Sequence, residues 1–120
     1  MTITRAHALT YLDEARRLND GGWIVHSLAV GTAAERIAAL VDGLDAERAF
    51  VLGALHDIGR RFGEMGMNHV ILGYRFLLAQ GDTEAAEICL THSFPVQEIT
   101  AVNGGWDLAA EDYAFLDSFL

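Results

Sequence analysis

Apolar and polar residues along the chain fall into helical blocks separated by short polar breaks. Ile3, Leu9, Leu12 and Leu18 recur at roughly helical spacing, which predicts an amphipathic first helix over 3–18. Asn19-Asp20-Gly21-Gly22 is turn chemistry and ends it. A second helix is predicted from about Trp23 to Val41, in which Ser27, Gly31, Ala33 and Ala34 are small enough to let another helix approach closely. Asp42-Gly43-Leu44-Asp45 reads as a loop, with Asp45 as the N-cap of a third helix from Ala46 to Ile58. That helix is nearly all apolar after Phe50, which marks it as the central, buried one. Gly59 is placed to cap its C-terminal end.

The stretch from Arg60 to Asn68 reads as an exposed loop. Two further helices are predicted over about 69–80 and 83–91, with Gly81-Asp82 as the stop of one and the cap of the next. Pro95 fits the first turn of another short helix, Val102-Asn103-Gly104-Gly105 is a turn, and Asp107 caps a last helix through Leu120. No stretch alternates cleanly as a strand would, and no repeat, low-complexity tract or linker interrupts the pattern. The expectation is a single all-α domain over 1–120.

Composition narrows the class. With 52% hydrophobic residues and one proline, the chain is not a disordered one. The single cysteine, Cys89, excludes an internal disulfide, suits a reducing cytoplasm, and is read as a small buried hydrophobe. No apolar run approaches the ~20 residues of a membrane span, and the first residues carry no signal-peptide core. A soluble cytoplasmic protein without membrane contact is therefore expected. The net charge of −9, from 17 acidic and 8 basic residues, argues against a nucleic-acid partner. It would also repel a phosphate substrate, unless bound cations and the Arg60/Arg61 pair reverse the sign at one place.

The chemistry centres on Val51-Leu52-Gly53-Ala54-Leu55-His56-Asp57-Ile58-Gly59-Arg60-Arg61, an apolar run that delivers a His-Asp pair. Such a pair is destabilising when buried unless something compensates it, and a divalent metal is the simplest partner. His26, His69 and His92 stand at helix starts or ends around it, whereas His7 has no companion ligand and reads as a surface or half-buried residue. Imidazoles with a carboxylate suit Fe, Mn, Zn, Co or Ni more than calcium. The spacings are not those of a zinc finger or of His-Glu-x-x-His, and no Ser-His-Asp or Cys-His arrangement is present.

His26 followed thirty residues on by His56-Asp57, in a Leu-His-Asp-Ile-Gly context, resembles the HD superfamily of metal-dependent phosphohydrolases. Asn19-Asp20-Gly21-Gly22-Trp23-Ile24-Val25-His26-Ser27, Leu55-His56-Asp57-Ile58-Gly59-Arg60-Arg61-Phe62-Gly63 and Cys89-Leu90-Thr91-His92-Ser93-Phe94-Pro95 sharpen the likeness to small bacterial stand-alone HD-domain proteins. The resemblance implies a bundle of about six to seven helices around one or two divalent metal ions. It implies that His26 and His56 bind the first metal, that His69 and His92 bind the second, and that Asp57 bridges them. Asp57 would orient a metal-activated water and Arg60 would contact a phosphate, so the implied activity is hydrolysis of a nucleotide or other small phosphate ester. Two alternatives share the ligands: a degenerate HD domain that binds metal or nucleotide without turnover, and an HD-type di-iron oxygenase. The implied partner is a small phosphate-containing substrate, and a homodimer is left open. The family pattern closes with an aspartate on a late helix. Asp107, Asp112 and Asp117 are the candidates, none in a buried context, and the expectation is that the segment carrying that ligand lies beyond Leu120, the domain being truncated at its C-terminal end.

Overall fold

Asp45, Gly81 and Asp82 explain where the third helix begins, the fourth ends and the fifth begins. The computed structural model describes residues 2–63, 66–94, 96–101 and 108–120. Among the described residues six α-helices run in order: α1 Arg5–Leu18, α2 Gly22–Ala39, α3 Ala46–Leu55, α4 Asn68–Ala79, α5 Thr83–Thr91 and α6 Ala110–Phe119. A 3-10 turn, Ile58–Phe62, joins α3 to the approach to α4, and a shorter one spans Ile99–Ala101. Among the described residues there is no strand, and the fold is an all-α helical bundle. The Asp45 side chain accepts from the Arg48 amide and that of Asp82 from the Ala85 amide, each removing an orphan donor from a helix start.

α3 is the central helix, with Phe50, Val51, Ala54 and Leu55 buried along it. α2 crosses it through backbone contact: a Cβ on Gly53 would stand 2.9 Å from the Val30 carbonyl oxygen, and one on Gly31 3.0 Å from that of Phe50. Gly31 forms this crossing as expected and Ser27 is buried, whereas Ala33 faces solvent. Leu116 of α6 is fully buried in a second cluster with Met67, Val70, Ile71, Leu90 and Ile99, and Arg75–Asp112 at 2.6 Å ties α6 to α4. No helix among the described residues is long and apolar enough to cross a membrane.

Four expectations need correction. Ile3 precedes α1 and is buried, but Leu9 and Leu18 are exposed; Ala8, Leu12 and Ala15 carry the core face. The larger leucines misled because alanine allows closer packing on this side. α3 ends at Leu55, three residues before the expected Ile58, because the chain tightens into the 3-10 turn. Gly59 is inside that turn rather than a C-cap; Gly63, with φ of 118°, ends the turn. The region from Arg60 to Asn68 is accordingly not one exposed loop, since Arg60 to Phe62 are helical and Met67 is buried. The expectations for Pro95, for the turn at 102–105 and for the Asp107 cap lie outside the described residues.

One buried latch joins distant segments. Asp82 is 4% exposed and accepts from Arg48 Nη1 and Nη2 at 2.7 and 2.6 Å and from the Ile3 amide at 3.0 Å. Burial alone would raise its pKa; the Arg48 guanidinium and the Ile3 and Ala85 amides outweigh this and lower it to about 2, from 3.8. A depressed carboxylate stabilises the fold above its unfolded pKa and loses that contribution as pH falls through the folded one. On the order of 2 kcal/mol should therefore disappear between pH ~4 and ~2. Denaturant unfolding at several acidic pH values should show this loss in the wild type and a shallower one in Asp82→Asn. Equal pH dependence in both would remove Asp82 as its source.

Candidate metal centre

The break at the end of α3 creates the site. On a continuous helix adjacent side chains diverge by about 100°. His56 keeps helical dihedrals, but Asp57 adopts φ −110° and ψ 16°, and the chain changes direction. The two side chains then converge, with His56 Nε2 3.3 Å from Asp57 Oδ2. α4 and α5 bring the other imidazoles. His69, in the first turn of α4, places Nε2 3.2 Å from Asp57 Oδ1, and His92, just past α5, places Nε2 3.0 Å from the same oxygen. His26, in the first turns of α2, is exposed, and its ring lies 5.4 Å from that of His56.

Two ligand groups result: His26, His56 and Asp57, and Asp57, His69 and His92. Within each, the potential ligand atoms lie within 4.8 Å of one another. Asp57 belongs to both and is 6% exposed.

The tautomers are fixed by the backbone. His56 Nδ1 lies 2.6 Å from the Gly53 carbonyl, His69 Nδ1 2.8 Å from that of Gly66, and His92 Nδ1 3.0 Å from that of Cys89. A carbonyl oxygen only accepts, so each Nδ1 carries the proton and each neutral ring turns its Nε2 lone pair inward. Three lone pairs then face one carboxylate, whose buried Oδ1 has no hydrogen-bond donor. His69 Nε2 and His92 Nε2 stand only 3.5 Å apart. Such a set of acceptors is stable only around a cation, so the residues fit a divalent metal. Without one, a proton takes its place. Burial opposes charge on His56, but Asp57 and the Gly53 carbonyl outweigh it and raise its pKa above 6.5. Burial likewise opposes charge on Asp57, and hydrogen bonds donated by the imidazoles, His56 first, hold its carboxyl far below the usual range when protons replace the metal at Nε2.

The arginines of the expected pair separate. Arg60 Nε lies 3.5 Å from Asp57 Oδ2, whereas Arg61 stacks over Phe76 of α4, its guanidinium carbon 4.1 Å from the ring centre. Of the two, Arg60 is the one beside the carboxylate. Cys89 is inert: its buried Sγ donates to the Leu55 carbonyl at 3.4 Å, and burial pushes the thiol pKa up. His7 is exposed on α1 and belongs to neither group. Of the late aspartates, Asp112 pairs with Arg75, Asp117 is exposed, and Asp107 lies outside the described residues.

The orienting carbonyls were not foreseen. Gly53, Gly66 and Cys89 each stand three residues before the histidine they hold, so the spacing was present in the sequence, but a backbone acceptor leaves no residue-type signal.

Four imidazoles and one shared carboxylate at the ends of packed helices define a helical domain whose clustered side chains could hold a metal. A family model described as the HD domain matches residues 23–112, three quarters of the chain and all five of these side chains. The chain belongs to the HD domain family, whose members are in general metal-dependent phosphohydrolases that bind divalent metals. No curated protein and no solved structure matches the chain.

Proposed function

We propose that the chain is a metal-dependent phosphohydrolase acting on a nucleotide or another small phosphate ester. The observation that supports this most is that one buried carboxylate, Asp57, is common to both ligand groups and also faces Arg60. Divalent cations there would supply Lewis acidity, neutralising phosphoryl oxygens and bringing the pKa of a coordinated water toward neutrality. His26 and His56 would hold one ion, His69 and His92 the other, and Asp57 both. Asp57, kept ionised, would also orient the attacking water. Arg60 would donate to the phosphate and offset the charge of −9 that the chain otherwise presents to an anion. That same charge supports a small substrate rather than a nucleic acid.

One observation favours a second reading, a domain that binds metal or nucleotide without turnover. Asp57 is the sole carboxylate in the ligand groups found among the described residues. Two divalent ions sharing one carboxylate leave positive charge uncompensated and are held more weakly. A screen of phosphate esters with each of Fe, Mn, Zn, Co and Ni separates the readings by turnover. A mixed-valent iron spectrum in air would instead support the di-iron oxygenase.

The role of Arg60 is testable apart from turnover. Arg60→Ala should weaken inorganic phosphate binding to the metal-loaded protein about ten- to a hundredfold, since a charge-assisted bond is worth roughly 1.5–3 kcal/mol. Metal content should stay at the wild-type level. Unchanged phosphate affinity by calorimetry would return Arg60 to an ordinary surface role.

A further inference from the structure

Asn19 joins three segments through its own polar groups. Its amide donates to the Ala15 carbonyl at 2.8 Å, closing α1. Its carbonyl accepts the Trp23 indole Nε1 at 2.9 Å, fixing the start of α2, which carries His26 one turn on. Its side-chain Nδ2 donates to the Arg60 carbonyl at 2.7 Å, inside the 3-10 turn that carries Arg60 and follows Asp57 directly.

We propose that Asn19 is a positioning residue, one that holds the Arg60 backbone so that its guanidinium stays over the Asp57 end of the site. The inference rests on the reading of Arg60 as the phosphate contact. The Arg60 carbonyl also accepts the Gly63 amide at 3.1 Å, and the Arg60 amide donates to the Asp57 carbonyl at 2.9 Å. The turn thus keeps its internal hydrogen bonds when the Asn19 side chain is removed. What is lost is the tie from the turn to the corner between α1 and α2, while Gly59 still packs the turn against α4. A single neutral hydrogen bond contributes little to stability, so the fold should survive while the reach of Arg60 loosens. Asp20, its neighbour, accepts the Gly21 amide at Oδ1 at 2.8 Å, a local bond, and serves as the control.

The test is a double-mutant cycle read by calorimetric binding of inorganic phosphate to metal-loaded protein, with metal content measured on each sample. Asn19→Ala should lower phosphate affinity about three- to tenfold at unchanged metal content, and Asp20→Ala should leave both unchanged. In an Arg60→Ala background, Asn19→Ala should cause no further loss, because its effect passes through Arg60. A merely structural role would weaken binding by the same factor in both backgrounds, and that result, or full affinity in Asn19→Ala, overturns the inference. Asn19→Leu is close in shape and uncharged, cannot donate to the Arg60 carbonyl, and supplies the same test if the alanine variant does not fold. Absence of phosphate binding by the wild type, or unchanged binding by Arg60→Ala, would overturn the phosphate-site reading itself and this inference with it. Those results are distinct from normal Arg60 behaviour with an inert Asn19, which overturns the inference alone.

Discussion

Asp57→Asn should strip the protein of metal. The amide keeps the size of the side chain but removes the one negative charge common to both ligand groups. Two cations held close together then lose the anion between them, and the imidazoles alone leave their charge uncompensated. Metal affinity and any phosphate-ester turnover should each fall at least a hundredfold, beyond the 10–100-fold typical of residues that only orient a ligand. His7→Ala, on the exposed start of α1, should leave both at the wild-type level. In metal-free protein Asp57→Asn should also lower stability, because the imidazoles around the carboxylate lose their anionic partner. The assignment of the ligands fails if His7→Ala loses metal and Asp57→Asn keeps it.

Gly59→Ala should be the most disruptive single substitution for the fold. A Cβ at Gly59 would overlap the His69 carbonyl oxygen and stand 2.7 Å from the Gly73 amide nitrogen and 2.8 Å from the His69 carbonyl carbon. All three are backbone atoms of α4, so no side-chain rotation can relieve the clash. The 3-10 turn and α4 must separate by about 1 Å or more, beyond the 1–3 kcal/mol usual for overpacking. A loss of that size is a large share of a typical 5–15 kcal/mol stability and should lower the melting temperature by roughly 10 °C or more. The same separation carries His69 away from Asp57, so metal affinity should fall with stability. Gly22→Ala, with nothing within 4 Å of its added Cβ, is the control and should melt near the wild type. A Gly59→Ala protein that melts within a couple of degrees of wild type and binds metal normally would contradict this packing.

Gly59 shows where reading the sequence stops. Its position after an apolar helix suggested a cap, but its requirement comes from the backbone of α4, ten residues on and beyond any local pattern. The end of α4 and the start of α5 were legible because Gly81 and Asp82 act locally, one with φ of 85° and the other by accepting the Ala85 amide. The face of α1 was not, because Ala8 and Ala15 are buried for their small size, a property of the neighbour they meet. The gathering of His26, His56, Asp57, His69 and His92 was legible as an ordered set, and the helix ends bring them together. The convergence of His56 and Asp57 was not, since it depends on α3 breaking after Leu55. Asn19 stood in a stretch noticed as a turn, and its bond to Arg60, 41 residues away, follows only from the packing of α1 on the 3-10 turn.

The most direct measurement is the metal-to-chain ratio of the purified protein during stepwise dialysis against a chelator, with the melting temperature followed on the same samples. Metal bound to the folded chain stabilises it by mass action, because the unfolded chain has no preformed site. Divalent metal should be present at the outset, and the melting temperature should fall as it leaves. The loss should come in two stages, the ion at exposed His26 leaving before the one at His69, which is 5% exposed. A protein that carries no divalent metal, and whose melting temperature responds to neither metal nor chelator, would contradict a metal centre built on Asp57.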